Sequence, residues 1–267
     1  MISIIGITWV YNRLDMSLIK ELLITVKYYL LLPAIVFYML SKILSAFRLQ
    51  QIFTQTGIMI SQTDNIKLYW LGMFYNLFLP GGIGGDAYKV IILQKKSSQH
   101  WKNIAGLILY DRITGLLALT IFVGIGFLIL SNLYWLGLSI IIISLIGWVG
   151  FTFIKFMALQ KIMFSGFIMS VGVQCLQLIS AYLLFTAIAI DTKQVYYILI
   201  FLISSVVSVL PLTWGGVGAR EVTFVFGTEY FQLDVTAGAV FSMLFFVITL
   251  LSSIPGAFIN ERKLLQK

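Results

Sequence analysis

The chain has 267 residues, of which 60% are hydrophobic and 10% charged, and its net charge is +8. A soluble domain carries roughly 25% charged residues, and a single core could not hide this much apolar surface from water, so a soluble globular protein is excluded. The apolar runs are long and unbroken, as in Leu138–Val149, which excludes the short alternating strands of a membrane barrel and leaves helices in lipid.

In chain order, Met1–Val10 is apolar but lacks a preceding basic region and a cleavage site, so it does not read as a secretory leader. It is too short to cross and reads as an interfacial segment or the remnant of a first span. The first full span is predicted at Glu21–Ala46, followed by a polar stretch, Arg48–Lys67. Leu68–Leu79 is apolar but too short to cross at ~1.5 Å per residue. It ends at Pro80-Gly81-Gly82-Ile83-Gly84-Gly85, and a second short piece, Asp86–Leu93, precedes the basic loop Lys95–Lys102. Ile104–Leu130 and Leu133–Phe153 are long enough to span, and Lys155 and Lys161 bracket the turn after them. Met163–Ile190 spans again, and Asp191-Thr192-Lys193 makes a polar turn. Gln194–Leu210 stops at Pro211, Gly215-Gly216-Val217-Gly218 breaks the chain, and Ala219–Tyr230 is another short helix. The last span is predicted at Thr236–Ile259, with Glu261-Arg262-Lys263 after it.

The fold class is therefore all-α: a single polytopic transmembrane domain over residues 1–267, with two re-entrant broken-helix hairpins. The halves run from about 21 to 130, with hairpin 68–93, and from about 133 to 260, with hairpin 194–230. Lys and Arg gather on cytoplasmic loops. Placing the Lys95–Lys102 loop, the Lys155–Lys161 turn and the C-terminal tail inside makes the two hairpins enter from opposite faces, as an inverted repeat would. Arg13, Lys20 and Lys27 fit this arrangement less well, since they would lie outside. The excess of bases reads as orientation beside anionic lipid rather than as nucleic-acid binding. Cys175 lies in an apolar stretch and reads as a packing residue. His100 is the one histidine and sits in a polar loop, so neither a metal site nor a cofactor is expected.

The two breaks resemble each other. Leu79-Pro80-Gly81-Gly82-Ile83-Gly84-Gly85-Asp86-Ala87-Tyr88-Lys89 and Leu210-Pro211-Leu212-Thr213-Trp214-Gly215-Gly216-Val217-Gly218-Ala219-Arg220-Glu221 each place a proline, a Gly-Gly-apolar-Gly core and then charge after an apolar stretch. Proline ends a helix by lacking an N–H, and clustered glycines allow positive φ and close approach. In hydrocarbon such a break is tolerated only where protein or a wet cavity satisfies the freed backbone. Paired breaks in two halves point to a substrate site near the midplane, and glycine-turn N–H groups suit an anion such as phosphate. The alternative is that the glycines are plain loops or close-packing points between helices. Gly82-Ile83-Gly84-Gly85-Asp86-Ala87 also fits the dinucleotide pattern, but it follows a membrane segment rather than a soluble strand.

Asp111-Arg112 falls inside the Ile104–Leu130 span, where charges are costly and usually do work. Adjacent residues point about 100° apart on a helix, so each needs another partner. The expected network joins the acids Asp86, Asp111 and Glu221 to the bases Lys89, Arg112 and Arg220, leaving a base for a phosphate oxygen. The alternatives are a network that only locks the hairpins, and an Arg112 that snorkels to the interface.

The run Asn76–Lys89 resembles the signature of the lysylphosphatidylglycerol synthase transmembrane family, also called the flippase-like domain family. Asp111-Arg112-Ile113-Thr114-Gly115 resembles its second motif, Pro211–Glu221 its third, and Ser45-Ala46-Phe47-Arg48 a weaker arginine position. The resemblance implies a multi-pass inner-membrane protein that handles lipids; the basic tail places its C-terminus on the cytoplasmic side, and the charged residues lead to lipids with anionic headgroups as the expected partners. The lipid would be a phospholipid, a glycolipid or a polyprenyl-phosphate-linked molecule, moved between leaflets. The candidate substrate-binding residues are Gly81, Gly82, Gly84, Gly85, Asp86, Lys89, Asp111, Arg112, Gly215, Gly216, Gly218, Arg220 and Glu221. The alternative is a membrane subunit or scaffold for a lipid aminoacyl- or glycosyltransferase. Such a partner transferase and an oligomer are both compatible with the resemblance, and nucleic acid is not expected. Only Glu261–Lys267 follow the last predicted span, so synthase activity is not expected of this chain. Lys89 stands where the family pattern has arginine, and the N-terminus reads as short by one span.

Overall fold

A computed structural model describes residues 16–79, 82–97, 99–130, 133–209, 216 and 218–260. Met1–Val10, Pro80, Gly81, residues 210–215, Val217 and Glu261–Lys267 lie outside the described residues. The described chain is helical, with no strand. Its helices are α1 (Met16–Thr25), α2 (Leu31–Gln55), α3 (Gln62–Phe78), α4 (Gly84–Lys96) and α5 (Trp101–Ile129). They continue with α6 (Tyr134–Lys155), α7 (Gln160–Ala187), α8 (Gln194–Val209), α9 (Ala219–Tyr230) and α10 (Val235–Ser253). Short 3-10 turns precede α2, separate α6 from α7, and follow α10 at Ile254–Phe258, where Pro255 tightens the last turn.

Among the described residues, five helical stretches are long and apolar enough to cross a membrane: Tyr28–Gln55, Trp101–Ile129, Tyr134–Lys155, Met157–Ala187 and Val235–Phe258. The chain is a multi-pass membrane protein. Large apolar side chains cover its outside, including Ile143, Ile146 and Ile154 on α6. In water such a surface would aggregate, whereas in hydrocarbon it faces its solvent.

The four long spans before α10 pack as two antiparallel pairs, each held by small or polar contacts. Between α2 and α7, Ser180 Oγ donates to the Ala34 carbonyl at 2.8 Å and Ser165 Oγ to Gln51 Oε1 at 2.9 Å. Between α5 and α6, Gly124 and Gly137 bring the backbones so close that a Cβ on Gly137 would stand 2.6 Å from the Gly124 carbonyl oxygen. The most buried span, α10, runs through an aromatic core. Phe241 stacks on Phe185 at 4.0 Å, and Phe245 meets Phe201 at 4.9 Å and Tyr38 edge-on at 5.5 Å.

The short helices α3 and α4 pack on each other through Gly72 and Gly85: a Cβ on Gly85 would fall inside the Gly72 carbonyl group. Similarly, α9 lies on α8 with Gly227 against Ile200. The α3 helix is also tied to the far end of the chain, where Trp70 Nε1 donates to the Ser252 carbonyl at 3.0 Å and Gly256 packs against the Trp70 backbone.

Ala219–Tyr230 is helical over the residues predicted, and α5 to α8 lie within a few residues of expectation. The first span differs. Rather than Glu21–Ala46, the long helix begins at Leu31 and continues to Gln55, so Glu21 lies in the separate α1. The polar stretch from Arg48 is helical because its polar groups find partners inside the protein: Arg48 pairs with Asp111, and Gln50 Nε2 donates to the Ile60 carbonyl at 2.6 Å. The α4 helix likewise runs three residues past Leu93, to Lys96. Cys175 is exposed on α7 rather than packed.

Candidate functional site

The first break begins where Leu79 leaves the helical conformation. Gly82 has φ +61°, a left-handed value that a side chain would strain. Asn76, in the last turns of α3, reaches across so that the Gly85 N–H donates to its Oδ1 at 2.8 Å. The N–H groups of Asp86 and Ala87 donate to the Ile83 carbonyl. These glycine-turn donors are thus occupied within the protein and are not available to an anion.

The first turn of α4 supplies Asp86 and, one turn on, Lys89. Lys89 Nζ lies 3.2 Å from Asp86 Oδ1 and 4.4 Å from the centre of the Tyr69 ring, over the gap left by Gly72. Arg112 of α5 meets the same carboxylate through Nε, and its Nη2 donates to the Gly82 carbonyl at 2.8 Å. Arg112 therefore closes on the break itself instead of snorkelling.

Asp111 and Arg112 have separate partners, as their helical phase requires. The partner of Asp111 is Arg48 rather than one of the bases expected for it. Arg48 Nε stands 2.7 Å from Asp111 Oδ1, and Nη1 donates to Ser170 Oγ at 2.7 Å. Both are buried, at 5% and 6% exposure. Gly115 leaves the room this guanidinium needs, since a Cβ there would stand 3.2 Å from Arg48 Nη1.

At the second break Gly216 has φ +85° and lies against Ser208, and Gly218 has φ +87° at the N-cap of α9. The Gly218 N–H donates to Glu221 Oε2 at 2.7 Å, and Ser242 Oγ donates to Glu221 Oε1 at 3.1 Å. Glu221 thus caps its own helix and fastens it to α10. The Arg220 guanidinium lies 4.4 Å from the centre of the Phe245 ring and 5.9 Å from that of Phe201. Its Nη1 is buried and has no hydrogen-bond partner among the described residues.

These parts line one half-open cavity of about 330 Å³. Gly82 and Asp86 from the first break line it, and so do Gly216, Arg220 and Glu221 from the second, with Lys89, Asp111 and Arg112. Gly84, Gly85 and Gly218 do not line it, while Gly81 and Gly215 lie outside the described residues. The expected network is therefore divided: Asp86 holds Lys89 and Arg112, Asp111 holds Arg48, and Glu221 serves its own helix. Lys42 also lines the cavity, with Nζ 4.5 Å from the centre of the Tyr38 ring. Sequence reasoning passed over it, although a lysine inside the predicted Glu21–Ala46 span was itself the signal.

The model of a protein family described as "Lysylphosphatidylglycerol synthase TM region" matches residues 1–256. Searches of curated proteins and of solved structures find no match.

Proposed function

The chain belongs to the lysylphosphatidylglycerol synthase TM region family, and on that premise we propose that it carries lipids with anionic headgroups across the cytoplasmic membrane. The headgroup enters the cavity between the two broken helix pairs, and the acyl chains stay in the surrounding lipid. In this reading α3–α4 and α8–α9 are re-entrant hairpins entering from opposite faces as an inverted repeat, and the C-terminus is cytoplasmic. The chain performs no synthase chemistry itself. A separate transferase would act on or supply the lipid.

One observation carries the reading: both glycine breaks and five basic side chains face a single cavity among spanning helices. Ionised groups at membrane depth are costly, and a polar passage for a charged headgroup is what gives them a use. The cavity volume is that of a small ligand site, enough for a headgroup without its acyl chains.

The test is reconstitution in vesicles with headgroup-labelled phosphatidylglycerol, reading the rate at which inner-leaflet label becomes accessible from outside. Intact protein should accelerate it over protein-free vesicles. Arg112→Ala and Arg220→Ala, checked for monodisperse elution, should return it toward that baseline. Unaltered transfer by both variants overturns the mechanism.

A further inference from the structure

Five bases and three carboxylates line the cavity, and the bases are not equivalent. Arg48 is paired with Asp111, and Lys89 and Arg112 share Asp86. Among the described residues, no carboxylate lies within ion-pairing distance of Lys42 or Arg220. These two cations rest on aromatic faces instead, Lys42 on Tyr38 and Arg220 on Phe245, and those two rings meet edge-on at 5.5 Å. A ring face offsets part of the cost of a desolvated cation but accepts few of its hydrogen bonds. Arg220 Nη1 has no hydrogen-bond partner among the described residues, and the Lys42 ammonium, which also bonds the Tyr38 side chain, keeps further donors.

We propose that Lys42 and Arg220 together form the phosphate seat of this cavity, and that the seat takes headgroups of net negative charge. Phosphate supplies the negative charge that neither side chain has beside it among the described residues, and several acceptor oxygens, which the guanidinium can bind through two parallel bonds. Lys89, Arg112 and Arg48 instead hold the break and the spans in place. The cavity keeps two positive charges in excess. A lipid whose headgroup carries added ammonium groups, as an aminoacylated phosphatidylglycerol does, therefore meets repulsion where an unmodified anionic lipid meets attraction. This seat rests on the transport reading for its purpose, but binding tests it separately.

The experiment measures equilibrium binding to the full chain in detergent. The probes are dioctanoyl phosphatidylglycerol, its lysyl ester, and glycerol 3-phosphate, which has the phosphate but no acyl chains. The variants are Lys42→Gln and Arg220→Gln, with Lys155→Gln, exposed on α6, as the control. Phosphatidylglycerol should bind at least about tenfold more tightly than its lysyl ester. Each seat variant should weaken phosphatidylglycerol by about ten- to a hundredfold, the range for losing a charge-assisted hydrogen bond, and the control should not. Glycerol 3-phosphate weakened by the same variants identifies the seat as reading phosphate from either source. Phosphatidylglycerol alone responding identifies it as a lipid site. Undiminished phosphatidylglycerol binding in both variants, or equal binding of the lysyl ester, overturns the proposal. If Arg220→Gln does not fold, Lys42→Gln decides. Binding that depends on the seat without any transfer in vesicles sinks the transport reading and leaves the seat. Transfer and phosphatidylglycerol binding both unaffected by Lys42→Gln sink the seat and leave the transport reading.

Discussion

Arg112 and Gly82 are 30 residues apart in sequence, yet the guanidinium Nη2 donates to the glycine carbonyl at 2.8 Å. A helix break at membrane depth frees backbone groups that lipid cannot satisfy. Here a spanning helix supplies the partner, and Asp86 holds that partner in position. The break is thus fastened by side chains from other turns and helices as well as by its own backbone.

Asp86→Asn removes the charge shared by Lys89 and Arg112. The cavity then has three positive charges in excess instead of two. Binding of an anionic lipid should rise, while vesicle transfer should fall because the break is no longer fixed. Titration of dioctanoyl phosphatidylglycerol against the variant, beside the transfer assay, reads the two effects separately.

Arg48 and Asp111 form a buried pair whose loss should show as instability rather than as altered lipid preference. Removing one partner strands the other, at a cost of about 3–5 kcal/mol. Arg48→Gln and Asp111→Asn should each lower the unfolding temperature in detergent strongly. The double variant should cost clearly less than the two single losses added together.

Gly85→Ala places a methyl group inside the Gly72 carbonyl, which is backbone and cannot rotate away. The α3 and α4 helices must separate, at about 1–3 kcal/mol for an overpacked contact. Gly166→Ala, with no neighbouring atom within 4 Å of the added carbon, should leave thermal unfolding almost unchanged. Equal behaviour of the two variants would contradict the close packing of the first helix pair.

Glu221→Gln should be mild. The amide oxygen can still accept from the Gly218 N–H, while the Ser242 hydroxyl must turn to accept from the new NH2 and the favourable charge at the start of α9 is lost. Glu221→Ala removes the cap and the Ser242 bond, at about 1–2 kcal/mol. Thermal unfolding of the two variants should separate in that order.

Much of this architecture was legible in the sequence because lipid imposes simple rules. Uninterrupted apolar runs marked α5, α6, α7 and α10, and proline with glycine marked both breaks. The charges of Asp111 and Arg112 inside a span signalled interior partners. Which partners they take was not legible, because Arg48 reaches Asp111 across 63 residues and helical phase alone does not choose among facing bases. The occupation of the Gly85 donor was equally hidden, since it depends on Asn76 folding back over the break. Arg48 also misled the first boundary. A run of polar residues reads as loop when its partners lie on other helices, and α2 continues through it because Asp111 and Ser170 are there to receive it.

The bond from Trp70 to the Ser252 carbonyl spans 182 residues of sequence. It imposes an order on assembly. While the chain is being made, α3 can form early, but its final seat does not exist until α10 and the Ile254–Phe258 turn have arrived. Phe245, Phe246, Thr249 and Ser253 of that same late segment also complete the cavity wall. A nascent chain interrupted before it can possess every charged residue that lines the cavity and both glycine breaks and still lack the wall that joins them.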